Sequence, residues 1–139
     1  MTLKLSKIFK PKLFIIFCVI LNLNFNIPSA DIYDEISKVI RTGNSKELAK
    51  YFDKTLELTI LDIEDTYSKS QAELIIKDFF AKNPPIKFSI LHKGGTKELK
   101  FATGDLITEK SVYRLTFCLK NDNDKSFISK LIIITKEDE

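Results

Sequence analysis

The hydrophobic pattern of this chain changes from mainly helical to alternating at Asn83-Pro84-Pro85, and that change decides the fold class. Before the prolines apolar residues recur at helical spacing; after them they alternate. Residues 31–42 put Ile32, Ile36, Val39 and Ile40 on one stripe, with Asp31, Asp34 and Glu35 in the first turn, Arg41 in the last and Gly43 at the C-cap. Asn44, with Glu47 three residues on, opens a short second helix that buries Leu48, Tyr51 and Phe52. Residues 55–63, rich in Leu, Ile and Thr and free of breakers, read as a strand. A third helix starts near Ser68 or Ser70, each with a capping-box partner, Gln71 or Glu73. Ala72, Ile75, Ile76, Phe79 and Phe80 form its stripe, and the two prolines end it.

Four strands follow. Residues 86–92 alternate with Phe88, Ile90 and His92 on one face, and Gly94-Gly95 supplies a turn. Residues 99–108 carry Gly104 at a bulge or bend. Residues 112–120 set Tyr113, Leu115, Phe117 and Leu119 against Arg114, Thr116 and Cys118. After a polar turn at 121–125, residues 127–135 are apolar on both faces: Ile128, Ile132 and Ile134 on one, Phe127, Leu131 and Ile133 on the other. Three N-terminal helices with one interposed strand, ahead of an antiparallel meander, define an α+β fold, not a doubly wound one. A strongly bent antiparallel sheet wrapped around the third helix would cover all three helical stripes. Helices can cover only the concave face, so the last strand predicts a homodimer through the outer sheet face.

The first thirty residues follow a different logic. Lys4, Lys7, Lys10 and Lys12 precede an apolar run over 13–23, too short to span a bilayer, and Pro28-Ser29-Ala30 offers small residues to a peptidase. Residues 1–30 therefore read as a secretory signal peptide and 31–139 as a single domain, exported to the periplasm or the medium. Cleavage after Ala30 or after Ser29 stays open, and an uncleaved N-terminal anchor is the competing reading. Cys18 lies within the apolar run behind the bulky Phe17, which argues against lipidation.

Composition matters after this subtraction. Residues 31–139 hold 18 basic and 19 acidic side chains, so the net charge of +3 for the whole chain becomes −1. No nucleic-acid footprint survives. Cys118 is the one remaining thiol, so no intramolecular disulfide forms, and His92 is the single histidine. With no nucleotide loop, multi-histidine or multi-cysteine metal set or haem motif, no cofactor is expected. A chain of this size buries roughly 65% of its unfolded surface, enough for an unstapled core.

Tyr67-Ser-Lys-Ser-Gln-Ala72, Asp78-Phe-Phe80, Asn83-Pro84, His92-Lys-Gly94 and the Tyr113-Arg114 strand resemble a family of small exported bacterial proteins, domain of unknown function 4783. The resemblance covers about residues 31–138. Arg114 followed by Leu-Thr-Phe, and the Asn/Asp-rich hairpin tip, depart from the family pattern. What it implies is the cone-shaped nuclear transport factor 2-like fold, also called cystatin-like, together with export and an origin in Gram-negative Bacteroidetes-type organisms. It implies no activity.

Candidate chemistry is sparse. Tyr67, Phe101 and Tyr113 are expected at the mouth of a cone cavity, each presenting an apolar body. His92 joins them as a cavity candidate, because folds of this superfamily place an acid or base on the inner sheet face. The competing reading is a histidine bonded to the Gly94-Gly95 turn. Asp62, Glu64 and Asp65 cluster before Tyr67, but their spacing fits no calcium loop and a solvated turn explains them. The expectation is a non-catalytic binding module for a small apolar ligand or an envelope protein. The alternative is a small acid/base enzyme using His92, with Asp62 or Tyr67 assisting.

Overall fold

The computed structural model describes residues 30–138; the signal-peptide reading falls on residues that lie, apart from Ala30, outside them. Helix α1 (Ile32–Thr42) begins at the cap Asp31 and stops at Gly43, whose φ of 67° is the left-handed conformation that glycine adopts cheaply. Helix α2 (Ser45–Ala49) is capped by Asn44, whose side chain accepts from the Glu47 amide at 3.1 Å. Strand β1 (Phe52–Ile60) turns into β2 (Ile63–Ser68), which runs directly into α3 (Lys69–Lys82). The capping box of α3 is reciprocal: Gln71 N donates to Ser68 Oγ at 3.3 Å and Ser68 N donates to Gln71 Oε1 at 3.1 Å.

Strands β3 (Pro85–Gly95), β4 (Leu99–Thr108), β5 (Val112–Asp122) and β6 (Lys125–Thr135) complete the fold, and a 3-10 turn, Lys136–Asp138, follows. Six strands form one sheet in the order β2-β1-β6-β5-β4-β3. The meander is as expected, and the α+β class holds. Two features differ from the expectation. The single strand expected between the second and third helices is a hairpin, β1–β2, and the sheet is not wholly antiparallel, because β1 pairs with β6 in parallel.

The hairpin has no local turn signature, because its two-residue loop, Leu61-Asp62, lacks the usual glycine or asparagine. Leu61 takes a φ of 54°. That conformation costs a leucine roughly 1–2 kcal/mol. It is held by the amide of Leu61, which donates to the Ile133 carbonyl at 2.8 Å. The β5–β6 turn obeys the rule instead: Asn123 and Asp124, at φ 46° and 64°, are residues that tolerate this region. The β3–β4 turn lies at Thr96–Glu98, with Gly94 and Gly95 still in β3, so the expected Gly94-Gly95 turn is displaced by two residues.

Of the register shifts that bend the sheet, two reset the faces that matter for the candidate residues. Ile90 opposes Gly104 and His92 opposes Thr103, so Leu91 is the extra residue in β3. Leu119 opposes Ile128 and Cys118 opposes Lys130, which leaves Ser129 extra in β6. Ile128 therefore shares the inner face with Leu131 and Ile133, while Phe127, Ile132 and Ile134 lie outside, a regrouping that strict alternation does not foresee. The inner face meets the helices in one core: Ile36, Ile40, Leu48, Ile76, Leu106, Leu115, Phe117 and Leu119 are almost fully buried. Asn83 ties the end of α3 to it. Its Nδ2 donates to the Phe79 carbonyl at 3.1 Å, and its Oδ1 accepts from the Tyr113 hydroxyl at 2.7 Å.

The bulge in β3 exists because Gly104 lets Ser89 come close. A Cβ built on Gly104 lies 2.2 Å from the Ser89 carbonyl oxygen, which is backbone and cannot swing aside. On Gly94 it would meet only the Phe101 ring, at 2.8 Å. Gly104→Ala is expected to lose more than about 2 kcal/mol in urea unfolding and Gly94→Ala less than half of that. Equal losses would refute the assignment of the bulge to Gly104.

Candidate ligand-binding cavity

A cavity of about 450 Å³ lies between α3 and the β1–β2 hairpin, at one edge of the sheet. Its walls follow from two periodicities. Leu58 and Ile60 are inward residues of β1; Ile63 and Tyr67, opposite Ile60 and Leu56, are inward residues of β2. Ile75 and Phe79 come from one face of α3, four residues apart. Leu61, in its left-handed conformation, contributes the lip, and Ile63 beside it is 66% exposed. The polar groups of the lining are Asp62, Asp78, Lys82, Asn83 and the Tyr67 hydroxyl. Lys82 Nζ sits 2.8 Å from Asp78 Oδ2, and Asn83 is engaged by Phe79 and Tyr113.

The four candidate residues do not converge. Tyr67 lines the cavity, half-buried. Tyr113 does not reach it: buried in the core, it packs edge-on against Phe79 at 5.1 Å and so supports a cavity wall from behind. Phe101 lies on the outer face, 38% exposed, because the register of β4 turns Ala102 and Leu106 inward. His92 is also exposed on the outer face, opposite Thr103. Ile90 and His92 would share a face under plain alternation; the extra Leu91 between them puts His92 on the other. Asp62 adjoins the β2 edge of the sheet and His92 sits in the β3 edge strand, so the acid/base pairing of these two does not form.

The acidic cluster also resolves differently from a solvated turn. Asp62 is in the hairpin loop, whereas Glu64 and Asp65 are in β2 and point to opposite faces. Among the described residues no group of three or more His, Cys, Asp or Glu side chains is arranged to hold a metal. The signal that sequence reading lacked was the turn itself: without it, Ile60, Leu61 and Ile63 could not be assigned to a cavity.

The family model for Domain of unknown function (DUF4783) matches residues 33–133, and the chain belongs to that family. Among solved structures it is similar to a DUF4783 family protein from Bacteroides ovatus, at 26% identity, TM-score 0.70, over 73% of this chain and 92% of that one. A DUF4783 family protein from Bacteroides uniformis matches at 24% identity and TM-score 0.73, over 76% and 98%. A Nostoc punctiforme domain of unknown function with a cystatin-like fold matches at 9% identity and TM-score 0.59, over 75% and 72%. Other solved chains whose names carry NTF2 share the architecture, so the fold is nuclear transport factor 2-like. No curated protein matches the chain.

Four ionisable groups away from the cavity have raised values and set the alkaline behaviour of the protein: Cys118, Tyr33, Tyr51 and Lys130, the last through its hydrogen bond to Glu57. Burial pushes the Cys118 thiol above its ordinary 9.0, with Lys130 across the strand pair pulling weakly the other way. Burial, and then Asp31 and Glu35 respectively, push Tyr33 and Tyr51 above 10.0. A raised folded-state value gives stability that is complete below the ordinary value and is lost as pH rises through the folded one. Urea midpoints are therefore expected to fall between pH ~8.5 and ~11. Alkylation of Cys118 near pH ~8 is expected to be slower than that of free cysteine and to accelerate on unfolding. A folded-state rate equal to that of free cysteine would contradict the burial of this thiol.

Proposed function

We propose that this protein is an exported binding module that holds a small apolar ligand between α3 and the β1–β2 hairpin and does not transform it. The observation that carries the reading is the cavity: about 450 Å³, walled by Leu58, Ile60, Ile63, Ile75 and Phe79. Its size falls within the roughly 300–1,000 Å³ typical of small-molecule sites. A strained leucine and a largely exposed isoleucine at its lip are features that packing alone does not favour. Against the enzyme alternative, the lining has carboxylates and a lysine but no histidine or cysteine. The neutral probe N-phenyl-1-naphthylamine is expected to brighten on binding the purified protein, and Ile75→Trp, which fills the space from α3, to abolish the signal without lowering stability. A probe signal unaffected by Ile75→Trp sinks the assignment.

The same reading includes export and a homodimer. Export is supported by the lysine-flanked apolar run of 13–23 and by the start of α1 at Ile32, since cleavage after Ala30 would spare every helix and strand of the described residues. The dimer is supported by the outer sheet face, where Phe127, Ile132 and Ile134 lie half-buried with Val112, and Phe101 and Ile107 more exposed. Several charges there are engaged within the chain: Arg114 Nε lies 3.2 Å from Asp105 Oδ1, Lys136 Nζ 2.9 Å from Asp105 Oδ2, and Lys130 Nζ 3.0 Å from Glu57 Oε2. Ion pairs made within the chain lower the charge that a second copy would meet across this face. Native mass spectrometry of the protein from a Gram-negative periplasm is expected to give a dimer of chains beginning at Ala30 or Asp31. Full-length chains would reject cleavage, and monomers at micromolar concentration would reject the interface.

A further inference from the structure

We infer that the cavity selects by charge as well as by apolarity, taking molecules with a neutral or cationic head and disfavouring anionic ones such as fatty acids. The inference rests on the binding role proposed above and concerns the mouth of that same cavity. Three charged side chains line it: Asp62, Asp78 and Lys82. The only ammonium, that of Lys82, is already 2.8 Å from the Asp78 carboxylate. Asp62 has no cation within ion-pair distance among the described residues, so the lining carries one carboxylate in excess. Asp65, outside the lining but on the inward face of the edge strand between Ile63 and Tyr67, is a further exposed carboxylate nearby with no ion-pair partner among the described residues.

The geometry gives these charges leverage. An apolar tail seated against Leu58, Ile75 and Phe79 would leave its head at the hairpin loop and the last turn of α3, where Asp62, Asp78 and Lys82 lie. An anionic head there would lose water and meet an excess carboxylate. It could reach Lys82 only in competition with Asp78, whose carboxylate already lies 2.8 Å from that ammonium, and the C-terminal end of the helix is electronegative. A quaternary ammonium meets the opposite balance, and an alcohol meets neither.

Displacement of N-phenyl-1-naphthylamine tests this with three ligands of one chain length: dodecyltrimethylammonium, dodecanol and dodecanoate, each below its micelle concentration. The ammonium and the alcohol are expected to compete at concentrations roughly threefold to tenfold lower than dodecanoate, the range that partly exposed charges support. Asp62→Asn, at an exposed loop position that accepts asparagine, is expected to narrow the gap, and about 0.5 M salt to narrow it in the unmodified protein. Dodecanoate competing as well as the ammonium, or a gap indifferent to both Asp62→Asn and salt, overturns the charge selection while leaving the cavity as a binding site. Failure of the probe and all three ligands to bind overturns the binding reading itself.

Discussion

The packing of α3 against the inner face of a bent sheet is the constraint that everything else in this molecule obeys. Ala72, Ile76, Phe79 and Phe80 are the buried positions of that helix, and they need a concave surface to cover them. A flat sheet cannot enclose a cylinder; the bulges at Leu91 and Ser129 supply bending. Gly104 permits the first of them by letting the Ser89 carbonyl approach within the space a side chain would take. Asn83 then stops the helix and clamps its end to Tyr113 of β5, so helix length and sheet curvature are matched at one residue.

The elements that could be read from the sequence were those with a local chemical signature. Gly43, the Ser68–Gln71 capping box and Asn83-Pro84-Pro85 each satisfy or break a backbone bond within a few residues of themselves, so their effect is written where they stand. The β5 alternation was equally plain, because both its faces are chemically distinct. Of the bulges only that of β3 is marked in the sequence, by Gly104 opposite it; the extra residues themselves, Leu91 and Ser129, leave no trace. A leucine or serine forced out of register looks like any other strand residue, and only the pairing partner reveals it. Plain alternation therefore puts His92 with Phe88 and Ile90 and groups the outward residues of β6 otherwise than the pairing does. The parallel pairing of β1 with β6 joins segments that are far apart in the chain, and no local pattern encodes it.

The candidate site was hidden for a related reason. Its one foreseen member, Tyr67, was legible as an aromatic just before a capped helix, but its companions depend on the hairpin loop at Leu61-Asp62. Turn chemistry predicts glycine or asparagine in that loop, and the chain places leucine there at a positive φ. A position where local preference is overridden needs tertiary support, here the hydrogen bond to the Ile133 carbonyl, and it also needs a reason to be retained. The side chain of Leu61 provides one: glycine would relax the backbone and remove the cavity lip together.

The two faces of the sheet then divide the work. The inner face buries its apolar residues against the helices and leaves an unfilled wedge beside the edge hairpin, where β2 is short and largely exposed. The outer face keeps half-buried apolar side chains and internally matched ion pairs around the Thr103–Thr116 hydroxyl contact. A ligand entering the wedge would touch β1, β2 and α3, and β1 is hydrogen-bonded directly to β6, whose opposite side carries Ile132 and Ile134. Cavity and outer face are therefore two sides of the same pair of strands. Any adjustment of β1 on binding would be felt one strand away, at the surface proposed to meet a second copy, through backbone hydrogen bonds and not through flexible side chains.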